Sequence, residues 1–180
     1  CMAPNIDQMH VINHLSGELA EGEQRNALVE AARIARGEII DLAQARVEDY
    51  DALIVPGGFG AAKNLSDFAV NGAGMTVQAD FLRFARAMHE AGKPVGLMCI
   101  APAMSARIFG DGVSCTIGTD EETAAAIEAM GGKHINCPVV EAVVDREHKL
   151  VTTPAYMLAG NVAEAATGIN RLVDEVLAML

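Results

Sequence analysis

Apolar positions in this chain fall into two alternating patterns. Short runs closed by turn residues read as buried strands: Asp51-Ala52-Leu53-Ile54-Val55 ends at Pro56-Gly57-Gly58, and Val95 to Met98 ends at Cys99. Longer stretches carry the helical period. Gly22 to Arg36 places Ala27, Leu28, Ala31, Ala32, Ile34 and Ala35 on a helix that Gly37 stops. Thr76 to Ala91 puts Val77, Phe81, Phe84, Ala85 and Met88 on one face, and Gly92 ends it. A helix is predicted from Cys99 to about Phe109, another over Asp120 to Met130 with Asp120 as N-cap, and a last one over Asn161 to Ala178. Glu38 to Leu42 and Val113 to Ile117 read as short strands, and Val47 to Tyr50 as one helical turn. Ala142 to Asp145 and Lys149 to Thr152 bracket Arg146-Glu147-His148 as a hairpin. Strands alternating with helices predict a three-layer α/β fold with a mainly parallel sheet.

Composition narrows the classes. The 180 residues suffice for one domain with a full core. Apolar content is 51% against 21% charged, which argues for an ordered globule. No apolar run is long enough for a membrane-spanning helix. A net charge of −11 argues against nucleic acid and anionic membranes as partners. Aromatics at 4% with no Trp leave no platform for stacking single-stranded bases. Cys1, Cys99, Cys115 and Cys137 lack the spacing of a zinc site or a disulfide framework. No metal or cofactor is expected, and the free thiols suit a reducing cytoplasm. The opening Cys1-Met2-Ala3-Pro4 reads as the end of a strand, so upstream sequence is expected to be missing.

Chemistry concentrates in two strand exits. Cys99 follows a buried strand and precedes a helix, the cysteine form of a nucleophile elbow. The unsatisfied N–H groups and partial positive charge of the helix end favour thiolate over thiol. A buried structural cysteine is the competing reading. In Pro56-Gly57-Gly58-Phe59-Gly60-Ala61-Ala62-Lys63-Asn64, three of four consecutive positions are glycine, which permits close approach of a ligand to the backbone. A tight turn explains that loop equally well, and the established phosphate-loop patterns are absent. If the two strands are neighbours, the Gly58 and Ile100 amides form an oxyanion hole beside the Cys99 sulfur. Gly57, Phe59, Thr119, Asp120 and Thr153 are further candidates to line the pocket. Cys115 and Cys137 read as core residues.

The segments Val11–Leu15, Leu53–Leu65, Met98–Met104, Thr116–Asp120 and Val151–Met157 together resemble the class I glutamine amidotransferase-like superfamily, in its PfpI-like group and the ElbB type, the isoprenoid biosynthesis glyoxalases. The resemblance implies a flavodoxin-like αβα sandwich, a homodimer and a cofactor-independent conversion of glyoxal, a small dicarbonyl, to glycolate. That activity is equally explained by removal of glyoxal adducts from proteins. Two departures stand out. The flanks of Cys99 are Leu97 and Ala101 where relatives keep glycines, and Thr116–Asp120 holds no histidine where the PfpI-like enzymes place one. Related enzymes also set a glutamate against the sulfur from a first β-α unit, which this sequence is expected to lack. His10, His14, His89, His134 and His148 offer no evident substitute, so a redox- or electrophile-sensing cysteine is the alternative function. Glutaminase-type amide transfer needs a full Cys-His-Glu triad and ranks lowest.

Overall fold

Each strand exit in this molecule is set by the residue that breaks the apolar run before it. In the computed structural model, which describes residues 1–180, the first half contains β1 (Met2–Ala3), β2 (Ile12–Asn13), β3 (Glu18–Leu19), α1 (Ala27–Ala35), β4 (Ile40–Asp41), β5 (Leu53–Val55), α2 (Gly58–Gly60), α3 (Phe68–Asn71) and α4 (Ala79–Glu90). The second half contains β6 (Val95–Met98), α5 (Ser105–Phe109), β7 (Ser114–Cys115), α6 (Glu121–Ala129), β8 (Lys133–His134), β9 (Val143–Asp145), β10 (Leu150–Thr153) and α7 (Val162–Leu177). A π-helical turn, Ala61–Leu65, continues α2, and a 3-10 turn, Ala101–Met104, leads into α5.

The central sheet has the order β5-β6-β10-β9. β5 and β10 both run parallel to β6, with Leu53 and Leu150 each opposite Val95. β9 is antiparallel to β10, as the predicted hairpin requires. Parallel pairs β1–β4 and β7–β8 flank it, and β2–β3 forms a small antiparallel hairpin.

Pleating sends alternate side chains to opposite faces. Val95, Leu97 and Leu150 join the larger core with Phe81, Phe84 and Met88 of α4. Val151, on the other face, packs with Leu172 and Val176 of α7. Gly96 lets α7 close on that face, since a Cβ there would sit 2.8 Å from Leu172 and 3.2 Å from Val176. The helix is started by Asn161, whose Oδ1 accepts from the Ala163 and Glu164 amides at 3.0 Å each. Helices thus cover both faces of a mainly parallel sheet, a flavodoxin-like three-layer αβα sandwich. No helix is long and apolar enough to cross a membrane.

The structure departs from the sequence reading in the glycine segment after β5. Gly57 to Leu65 is not an open loop: from Gly58 onward it is helical. Glycine is a poor helix former, but this segment is held by tertiary contact, with Ala61 and Ala62 buried. Its last turn closes when the Ser66 amide reaches back to the Ala61 carbonyl at 3.0 Å.

Candidate functional site

Parallel neighbours deliver their C-terminal turns to one edge, and three such turns meet here. β5 exits through Pro56-Gly57-Gly58, β6 through Cys99, and β10 through Pro154-Ala155. All three exits enter the left-handed region: φ is 77° at Gly58, 60° at Cys99 and 44° at Ala155. For Cys99 and Ala155 that conformation is uncommon and strained. It is held by the surroundings. The Cys99 amide donates to the Thr153 carbonyl at 3.0 Å, tying the elbow to β10.

The opposite wall is Gly57. A Cβ at that position would collide with the Cys99 Cβ, and would lie 2.9 Å from its Sγ and 2.9 Å from the Met98 carbonyl. Glycine is therefore dictated by the thiol beside it. Gly58 begins the helical segment, and Ile100 precedes the 3-10 turn. Neither amide has a backbone acceptor. The predicted pairing of the glycine segment with the cysteine elbow is what the topology builds.

Cys99 is half-buried, with its sulfur free. Thiol hydrogen bonds are made instead by Cys115, to the Pro102 carbonyl, and by Cys137, to the Pro138 carbonyl. Both of those cysteines are buried. Burial pushes the Cys115 thiol up to about 11, and raises that of Cys137 as well. Neither is a nucleophile near neutrality.

Among the other sequence candidates, Thr153 points away from the thiol. The Thr153 hydroxyl is fully buried and donates to the Glu141 carbonyl at 2.8 Å, on the α7 side of the sheet, so it does not line the site. Asp120 accepts from the Thr123 amide at 2.9 Å and serves as the N-cap of α6, which keeps its carboxyl below the usual range. Thr119 beside it is exposed. Phe59 lies on the first helical turn after Gly57 and is 73% exposed.

None of the five histidines bonds the thiol. His134 Nε2 accepts from the Ile117 amide at 3.2 Å, and burial holds its ring below the ordinary imidazole range. His148 Nδ1 sits 2.9 Å from Asp145 and its ring stacks on His89. His10 Nδ1 accepts from the Lys63 ammonium at 3.0 Å. That last pairing was invisible in the sequence, where 53 positions separate the partners.

No protein-family model matches the chain. It is 48% identical over 184 residues to the human mitochondrial protein "Glutamine amidotransferase-like class 1 domain-containing protein 3", covering 97% of this chain and 68% of that protein. The chain belongs to the class 1 glutamine amidotransferase-like family. The ES1 protein homolog, mitochondrial, of Rattus norvegicus is 47% identical over 97% of this chain and 69% of its own length. A crystal structure of an isoprenoid biosynthesis protein with an amidotransferase-like domain from Ehrlichia chaffeensis superposes with a TM-score of 0.90. It shares 36% identity and covers 99% of this chain and 82% of that one. The family membership corrects one expectation. Both curated relatives are named as mitochondrial, which overturns the cytoplasmic assignment drawn from the cysteines. Free thiols report a reducing environment and do not name a compartment.

Proposed function

We propose that this class 1 amidotransferase-like domain converts glyoxal to glycolate through Cys99. The observation that carries the reading is the strained elbow: a φ of 60° at a non-glycine nucleophile, packed on a glycine that admits no side chain. Strain of this kind persists where the surroundings impose it, and it gathers at active sites.

The thiolate adds to one aldehyde carbon and forms a C–S bond. The carbonyl oxygen becomes an oxyanion within reach of the Gly58 and Ile100 amides. The hydrogen on that carbon is transferred to the neighbouring carbonyl carbon through an enediol. One carbon is thereby oxidised to a thioester, and the other is reduced to an alcohol by the same electron pair. Water then cleaves the thioester and releases glycolate and the thiol. The step requires a proton carrier, and bulk water fills that role in a half-buried site. Cys99→Ala should abolish glyoxal consumption followed by proton NMR of glycolate; undiminished turnover overturns the assignment.

A second reading rests on the thiol having no side-chain base bonded to it. Such a cysteine is a candidate sensor, oxidised to sulfenic and then sulfinic acid. Mild peroxide followed by mass spectrometry separates the two: selective oxidation at Cys99 in a protein without glyoxal turnover supports the sensor.

We also infer that the domain is completed by a further β-α unit. An apolar trough of about 420 Å³ lies between β1 and β5, lined by Met2, Leu53, Val55, Phe81 and Phe84. Each of those strands is paired on one side only, β1 with β4 and β5 with β6. A parallel strand between them would satisfy both free edges.

A further inference from the structure

A second cleft, of about 530 Å³, opens on the flank of the Gly58–Leu65 helical segment. It is more polar than the apolar trough: only three of its twelve lining residues are hydrophobic. His10, His14, Arg25 and Lys63 all face it, in a chain that has only 13 Lys and Arg against 24 Asp and Glu. Of the acidic groups near it, Glu30 is occupied by Arg33 at 2.7 Å, and Glu23 stands 3.8 Å from Arg25 at the exposed rim.

Local structure holds the donors in place. Phe59 and Lys63 are one turn apart on the same helix face, with the ammonium 4.7 Å from the Phe59 ring centroid. The same ammonium donates to His10 Nδ1 at 3.0 Å. Lys has three N–H donors, so this bond fixes the head group and leaves donors over for a ligand. Asn64 accepts from the Met9 amide at 2.9 Å through Oδ1, which orients its NH₂ group and pins the strap bearing His10. The Gln8 amide donates to the Arg25 carbonyl at 2.8 Å and holds the other rim. The wide π-helical turn presents Lys63 and Asn64 side by side, and turns of this type recur at functional sites.

Converging N–H donors with permanent positive charge and no free carboxylate form a receptor for an oxyanion. We propose that this cleft binds the carboxylate or phosphate group of a small metabolite. None of its side-chain donors hydrogen-bonds Cys99.

The test is an NMR titration of the full chain at low ionic strength, following the His10 and His14 ring protons. Oxalate, glycolate and inorganic phosphate are added in separate arms, with sodium chloride as the control. The site predicts saturable shifts with a carboxylate or with phosphate, and the arm that saturates names the source. Binding should weaken about tenfold in Lys63→Met, the loss of one charge-assisted hydrogen bond, and survive in Lys63→Arg and in Cys99→Ala. Arg25→Gln, at the exposed rim, provides a variant whose folding is not at risk and should also weaken binding. Shifts that never saturate, that chloride reproduces, or that both Lys63→Met and Arg25→Gln leave unchanged would overturn the proposal.

Discussion

Cys99 pays for its position in backbone conformation. A left-handed residue other than glycine costs about 1–2 kcal/mol, and the elbow at 60° carries that cost in every folded molecule. Glycine removes the strain but loses about 0.5–1 kcal/mol more chain entropy on folding. The two nearly offset each other. Cys99→Gly should therefore melt within about 3 °C of the parent or above it, although its thiol chemistry is gone. Cys99→Val forces a β-branched side chain into the same φ and should be destabilised by about 2 kcal/mol or more. Differential scanning calorimetry of the pair decides the matter. A valine variant as stable as the parent would show that the elbow is not strained.

Among the elements, the β9–β10 hairpin carries a charge whose protonation is tied to folding. Asp145 closes β9 and is nearly buried. Burial raises its carboxyl, but amide bonds from Ser114 at 2.7 Å and His148 at 3.0 Å, with the His148 ring at 2.9 Å, hold it below the ordinary value. A lowered folded-state value means that the stabilisation is complete above the unfolded carboxyl range, near about pH 4. It is lost as the pH falls further through the folded value, because the unfolded chain takes up the proton first. Asp145→Asn should flatten the acid limb of stability against pH in urea melts; an unchanged limb would locate acid sensitivity elsewhere. The same scale shows why some elements were legible in the sequence and others were not. β5 and β6 follow from short apolar runs closed by breakers, and α4 and α7 from the apolar period of one buried face. The segment from Gly58 to Leu65 does not, because Gly58-Phe59-Gly60 favours turn over helix and only packing against the sheet decides it. At the site, Cys99 and Gly57 were legible as strand exits. Thr153 was misplaced because strand alternation turns its hydroxyl toward α7. The His10–Lys63 pair could not be found, since nothing local in either segment encodes a contact 53 residues apart.

For the whole molecule, the apolar trough sets the outstanding energetic question. α1 buries no residue fully, and Ile34 on it is 91% exposed although it borders the trough. Ile54, in the middle of β5, is 39% exposed, where the centre of a parallel sheet is normally covered on both faces. An added parallel strand would pair the free edges of β1 and β5, and its helix would cover the apolar lining. The 180-residue chain should accordingly enhance the fluorescence of an apolar dye such as anilinonaphthalene sulfonate under native conditions. A longer chain carrying the proposed β-α unit, about 30 or more residues for a strand and its helix, should suppress that signal. It should also raise the melting midpoint by at least about 4 °C, the shift expected from a little over 1 kcal/mol in a protein of this size. A longer chain that binds the dye as strongly and melts no higher would show that the trough is not the seat of that unit. The Cys99 prediction would stand in that case, because its strain is imposed by β10 and Gly57, both present in the chain described.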